Sequence, residues 1–269
     1  MTKIDFSADA ADQTSTPVRE WGSKVKSTVA CKDCPLQECS GLRAHTPEEL
    51  AYIQEYKQGD IAAERGSIIL EQGKKTHHLH SVLEGVLIRY RTLEDGRRQI
   101  VNFMFPGDLI GLQGAFDDAV MHSVEALLDV RLCVFERGDF KALIKSHTDL
   151  GYDLTWLAAK EETALEEHLV ALGQRSAKER VAYLAVWLID RALDTCMAGD
   201  DNSLDLPITQ AQIADMLGLS LVHTNRTLRS LEREGLIVWK PGNLRVPDVD
   251  AACDYAQYQR AGTNNRPFI

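Results

Sequence analysis

The sequence predicts an α+β protein: a β-barrel or jelly roll, then a long helix, then a C-terminal helix-turn-helix with a wing. Three observations predict this. Between about residues 59 and 140, short runs rich in β-branched and aliphatic residues alternate with turn-like segments, the texture of an antiparallel domain of about 80 residues. From 149 to about 172 the chain reads DLGYDLTWLAAKEETALEEHLVAL, with no Pro and only one early Gly, which suits a long helix. From 208 to 237, ITQAQIADMLGLSLVHTNRTLRSLEREGLI places two helix caps and a glycine turn in register.

The elements follow in order. The first 20 residues, MTKIDFSADAADQTSTPVRE, lack the apolar stretch of a secretory signal. Residues 46–57, TPEELAYIQEYK, predict a short helix, with Thr46 as cap, Pro47 at the first helical position and Glu49 completing a capping box. Strands are expected in SIIL (67–70), HSVLEGVLIRYRTL (80–93), RQIVNFMF (98–105), SVEALL (123–128) and VRLCVF (130–135). The separators QGKK, EDGRR, PGD and FDDA read as turns, and EDGR as a hairpin. Helical texture resumes near Asp139. In 149–172, Leu154, Ala158, Leu165, Leu169 and Leu172 form one stripe, which suits either packing on the barrel or a seam with a second copy. Glu161 and Glu162 interrupt it, as a weakened seam or a solvent-facing turn would. A further helix is expected over 176–195, and MAGDDNSLDLP (197–207) reads as a linker.

The bulk numbers exclude several classes. At 44% hydrophobic and 26% charged residues the composition is that of a soluble globular protein. No run of 18 apolar residues exists, so no membrane span is expected, and the chain reads as cytoplasmic. A net charge of −10 argues against nucleic-acid binding by bulk charge but leaves room for a local basic face. The six cysteines, without an export signal, point to metal-binding or redox-active thiols rather than a disulfide framework.

In the C-terminal segment Thr209 caps a first helix carrying Ile213, Ala214 and Leu217. Small Ala214 allows a close helix crossing, and Gly218 supplies the positive φ of the turn. Ser220 caps a second helix that runs to about Glu234 and ends at Gly235. Thr224, Leu228 and Leu231 point one way; Val222, Asn225, Arg226, Arg229 and Arg233 point the other. Arg pairs with guanine O6/N7 and Asn with adenine, so the outer face suits the major groove of double-stranded DNA. The contact set read from it is Ser220, Val222, His223, Asn225, Arg226 and Arg229. LIVWK, PGN and LRV follow as a wing, and residues 221–246 hold five Lys/Arg against two Glu.

Barrel, long helix and winged helix-turn-helix in this order, with LEDGRRQIVNFMFPGDLIGLQGAF and SAKERVAYL as the best local matches, resemble the CRP/FNR family of bacterial transcription regulators over about residues 46–250. The resemblance implies a cyclic-nucleotide-binding-type β-barrel, a long dimerisation helix and a winged DNA-reading domain. The expected division is an N-terminal cysteine-containing segment (1–45), a β-barrel sensor (46–148), a dimerisation helix (149–174) and the winged domain (175–269). It further implies a homodimer on a two-fold operator and, at Glu94 and Asp95 in the TLEDGRR hairpin, a contact for RNA polymerase.

Two sensing chemistries are offered by the family. Where the cyclic-AMP branch holds its ligand with Glu, Arg and Ser, this chain has Leu112, His122 and Ser123. A leucine accepts no hydrogen bond and an imidazole is no bidentate guanidinium, which argues against cyclic AMP. The fumarate–nitrate regulator branch uses a 4Fe–4S cluster on three N-terminal cysteines and one in the barrel. The resemblance assigns these ligands to Cys31, Cys34, Cys39 and Cys133. The spacing C-x2-C-x4-C departs from the C-x2-C-x5-C of the family's enterobacterial member, so redox-active thiols without iron, a structural zinc and inert cysteines stay open. A minor rival is a cupin-like metal enzyme, because His78, His80 and Glu84 are spaced H-x-H-x3-E, although FPGDLIGLQ supplies no partner histidine. A DNA-binding protein without any sensory role is the third reading.

Overall fold

In the computed structural model, residues 28–113, 119–260 and 265–269 are described. Helix α1 spans Pro47–Tyr56 and begins as its sequence requires. The Thr46 hydroxyl accepts from the Glu49 N–H at 3.2 Å, and the Glu49 carboxylate accepts from the Thr46 N–H at 2.7 Å.

Eight strands follow: β1 (Lys57–Ala63), β2 (Ile68–Leu70), β3 (His78–Glu84), β4 (Leu87–Thr92), β5 (Arg98–Met104), β6 (Leu109–Ile110), β7 (Ser123–Ala126) and β8 (Val130–Glu136). They form two antiparallel four-stranded sheets, β1-β8-β3-β6 and β2-β7-β4-β5, which is the expected jelly roll. Val82, Leu87, Ile110, Val124 and Leu132 fill the space between the sheets. The EDGR hairpin joins β4 to β5, with Thr92 opposite Arg98.

Short α2 (Phe140–Ser146) leads into α3 (Thr148–Gln174) and α4 (Ala177–Asp194). Helix α4 is no amphipathic surface helix: Val181 to Ile189 are buried without a break. One side meets Ile88, Ile100, Phe103 and Phe105 of the barrel, and the other meets the C-terminal helices, so one core joins both halves. Burial of each large aliphatic side chain here is worth about 1.5–3 kcal/mol.

The stripe on α3 divides. Leu154 joins Ile53, Leu79 and Phe135 against the barrel, while Leu169 remains 70% exposed. Glu161 marks neither a repulsive seam nor a solvated turn: its carboxylate pairs with Arg89 and accepts from Asn102 Nδ2 at 2.9 Å. A buried chain of polar groups continues from there, with Asn102 Oδ1 3.3 Å from His168 Nε2, and His168 Nδ1 2.7 Å from the Tyr183 hydroxyl. It ties barrel, α3 and α4 together.

Segment 197–207 holds a strand rather than only a linker. Strand β9 (Ser203–Asp205) pairs with β11 (Asn243–Arg245), which pairs with β10 (Val238–Lys240). Helices α5 (Gln210–Leu217), α6 (Leu221–Arg233) and α7 (Val249–Ala256) complete this domain.

Three histidines set an acid limit on the fold. Burial depresses His80 and His122 to about 4 and His168 to about 3, from an ordinary 6.5, and nearby His78, Arg89 or Arg91 adds to each. Below pH 6.5 the unfolded chain takes up protons that these folded imidazoles refuse, so stability is full above 6.5 and is lost as pH falls toward 3. Asp190, pushed up to about 6 by burial, acts in the opposite direction, as do Asp153 and Asp194, which burial also raises, while a fourth buried imidazole, His45, is lowered and adds to the loss. The expected result is a melting temperature that falls steadily from pH 7 to pH 5; a flat profile contradicts it.

Candidate nucleic-acid interface and thiol cavity

The helix-turn-helix is built as its caps dictate. The Thr209 hydroxyl accepts from the Gln212 N–H at 3.2 Å, Gly218 turns the chain at φ 62°, and the Ser220 hydroxyl accepts from the His223 N–H at 3.2 Å. Thr224, Thr227, Leu228 and Leu231 bury one face of α6. The opposite face presents Val222, 72% exposed, together with exposed His223, Arg226, Arg229 and Arg233. Arg226 takes part in no ion pair among the described residues. Asn225 differs from expectation: it is half-buried, and its Nδ2 donates to Gln210 Oε1 at 3.0 Å, so its amide braces α6 against α5. Lys240, Pro241 and Gly242 of the wing border one groove with Thr209 and Gln210, beside the helix ends that phosphates favour.

Two of the cavities beside the barrel hold the residues singled out in the sequence. The first is lined by Cys31, Cys34 and Cys133 with Lys57, Phe268 and Ile269. Its walls are apolar, and burial raises all three thiols, Cys133 to about 12 although Lys57 pulls it down. At neutral pH they are protonated, and a soft metal would have to expel those protons.

Cys39 is absent from this cavity. It is joined to Cys196 in a disulfide, with Cα atoms 5.6 Å apart. Of the expected four-cysteine ligand set, three thiols line this cavity while the Cys39 sulfur is bonded to Cys196 at its edge, and no metal-holding group of three or more His, Cys, Asp or Glu exists among the described residues. The present arrangement does not fit a four-thiolate cluster. Cys196 carried no role in the sequence, because the partner of Cys39 lies 157 residues away. One signal was Gly41: a Cβ there would lie 2.3 Å from the Asp194 Cα, so only glycine lets the N-terminal segment abut the end of α4.

The second cavity, about 140 Å³, is lined by Arg89, Asp108, Leu112, His122, Glu161 and Arg266, among others. Leu112 and His122 lie here as expected, but the Ser123 hydroxyl is occupied in accepting from the Gln72 N–H at 3.0 Å. The charges pair inside the chain, Arg89 with Glu161 and Arg266 with Asp108.

The rival histidines do not form a centre. His78 contacts Glu136 at 3.4 Å, whereas His80 is buried in β3 with its ring 6.2 Å away, and Glu84 lies opposite Arg131 across a register shift. Glu94 and Asp95 sit in the exposed hairpin turn, where Asp95 Oδ2 accepts from Arg97 Nε at 2.8 Å.

A jelly-roll barrel joined through a long helix to a winged helix with an exposed basic face defines a DNA-binding transcription regulator. Residues 61–147 match the cyclic nucleotide-binding domain and residues 179–253 the Crp-like helix-turn-helix domain. The chain is 31% identical over 209 residues to the transcriptional activator protein FnrL of Cereibacter sphaeroides, covering 77% of this chain and 83% of the relative. It is 32% identical over 221 residues to the nitrogen fixation regulation protein FixK of Bradyrhizobium diazoefficiens, covering 81% and 90%. The solved structure of FixK2 from Bradyrhizobium japonicum shares the fold, with a TM-score of 0.65 and 24% identity over 76% of this chain and 98% of that one. The protein belongs to the CRP/FNR family of transcription regulators, and the cupin-like reading is set aside. No helix among the described residues is long and apolar enough to cross a membrane.

Proposed function

We propose that the protein acts as a homodimer on a two-fold DNA site and answers to thiol oxidation rather than to an iron–sulfur cluster. The exposed, basic outer face of α6 is the observation that carries the DNA reading. Leu169 and Val170, exposed on the turn of α3 whose His168 faces the barrel, supply an apolar seam for a second copy. With one α6 per subunit, the half-sites sit about one helical turn apart. Gel shifts with half-site spacing varied in half-turn steps test this, and binding that ignores the spacing contradicts it.

The Cys39–Cys196 pair supports the redox part. Its formation from two thiols releases two electrons and two protons to an oxidant such as a peroxide or a low-molecular-weight disulfide, and reduction by a dithiol reverses it. In the oxidised state the N-terminal segment is stapled to the end of α4, the helix that carries the winged domain. Cys39→Ser is expected to abolish the oxidant-dependent mobility change on a non-reducing gel and to make operator affinity indifferent to oxidant. Anaerobically purified protein with about four irons per subunit and a visible band that bleaches in air would overturn this reading in favour of the cluster.

The hairpin turn at Glu94 and Asp95 supports a contact for RNA polymerase, as an exposed turn that presents two carboxylates outside α6. Glu94→Ala with Asp95→Ala is expected to impair transcription activation in a reconstituted assay while DNA affinity stays as in the parent. Equal loss of both would mean misfolding instead.

A further inference from the structure

Residues 265–269 leave the winged domain and lie against the barrel. Before them, Arg260 Nε reaches Asp190 Oδ1 at 2.8 Å, which keeps the chain on α4. Arg266 then forms a parallel bridge with Leu42: its N–H donates to the Gly41 carbonyl at 2.9 Å, and its carbonyl accepts from the Arg43 N–H at 2.8 Å. The Arg266 guanidinium enters the second cavity and donates to Asp108 Oδ1 at 2.5 Å, the oxygen that also takes Arg191 at 2.7 Å. Burial opposes charge on Asp108, but Arg191 and Arg266 outweigh it and hold the carboxyl below its ordinary range.

The next residues close the first cavity. Phe268 and Ile269 are 4% and 8% exposed. Phe268 packs on His45 at 4.6 Å and joins the apolar cluster of Leu36, Leu42 and Leu83 beside Cys34 and Cys133. Ile269 joins Cys31, Ile53 and Phe135. The free space left among them is about 30 Å³, room for one or two waters. Any larger group on Cys31 or Cys133, or any ligand held by them, competes with Phe268 and Ile269 for the same volume.

We propose that residues 265–269 are an internal latch: Phe268 and Ile269 cover the first cavity while Arg266 lines the second, and a thiol adduct or ligand that expels them loosens the polar dock between barrel and winged domain, which the shared core on α4 still holds together. Release leaves Asp108 paired with Arg191, so no carboxylate is orphaned and the step is reversible. What is loosened is the polar edge of the contact between barrel and winged domain, where Arg98 Nε meets Asp215 Oδ2 of α5 at 3.3 Å and Gln99 Nε2 donates to the Met216 carbonyl at 3.0 Å.

The test compares the full chain with a chain ending at residue 264, using maleimide labelling of each thiol by peptide mass and hydrogen exchange of the α5 amides. In the shortened chain, labelling of Cys31 and Cys133 is expected to quicken at least tenfold and α5 exchange at least fivefold. Unchanged labelling in a folded truncation overturns the cover, and faster labelling with unchanged α5 exchange overturns the loosening. If the truncation does not melt cooperatively, Phe268→Ala with Arg266→Gln takes its place, with at least threefold effects expected in both readouts and no change again overturning the latch. Neither readout uses DNA or the Cys39–Cys196 pair, so failure here is separate from failure of the proposed function.

Discussion

Arg226→Ala is expected to weaken operator binding by about 1–3 kcal/mol, roughly fivefold to more than a hundredfold, with most of the loss in discrimination. Arg226 is exposed on α6, nearly two turns from the Ser220 cap, on the face opposite Thr224 and Leu228. It supports nothing inside the protein, so its removal leaves the melting temperature in place and any change in DNA binding reports contact rather than folding. A phosphate contact would weaken operator and random DNA alike and flatten the salt dependence, whereas a base contact narrows the ratio between them. Competition gel shifts at two salt concentrations separate the two. A mutant with the parent's operator-to-random ratio refutes a base-reading role for this side chain.

Asp108→Ala is expected to cost about 3–5 kcal/mol of stability. The carboxylate is 6% exposed and receives Arg191 of α4, Arg266 of the tail and the Phe105 N–H at 2.9 Å. Its loss leaves two guanidiniums, 12% and 14% exposed, without their paired carboxylate, only the more distant Glu161 and Asp194 acting on them, and a backbone donor with no acceptor. Arg266→Gln removes one cation and leaves Asp108 on Arg191, so its cost is expected to be about 1 kcal/mol or less. Urea unfolding of the two variants reads this asymmetry directly. Equal costs would mean that Asp108 acts through chain packing rather than through charge.

Legibility in the sequence followed the range of the interaction. The capping box at Thr46, the cap at Ser220, the positive φ of Gly218 and the EDGR hairpin are settled within a few residues, and each stands as read. Strand β9 was hidden because SLD is short and becomes a strand only by pairing with β11, some 40 residues later. Asn225 was placed outward by helical periodicity, which does not register that Gln210 on the neighbouring helix takes its amide. Glu161 read as an interruption of an apolar stripe because its partners, Arg89 and Asn102, lie on the barrel.

The sequence by itself determined the order of barrel, long helix and winged helix-turn-helix, and the basic face of α6, because these rest on local period, capping and turn chemistry. Only the tertiary structure decided which sulfurs meet. Cys31, Cys34 and Cys39 are neighbours along the chain, yet the 3-10 turns at Cys31–Asp33 and Pro35–Glu38 direct the first two toward Cys133 and leave Cys39 beside Cys196. The physical reason is that a thiol has no local signal of its partner. Its environment is set by packing across the whole chain, here by the close approach of Gly41 to Asp194 and by Phe268 and Ile269 returning to fill the space over Cys31 and Cys133.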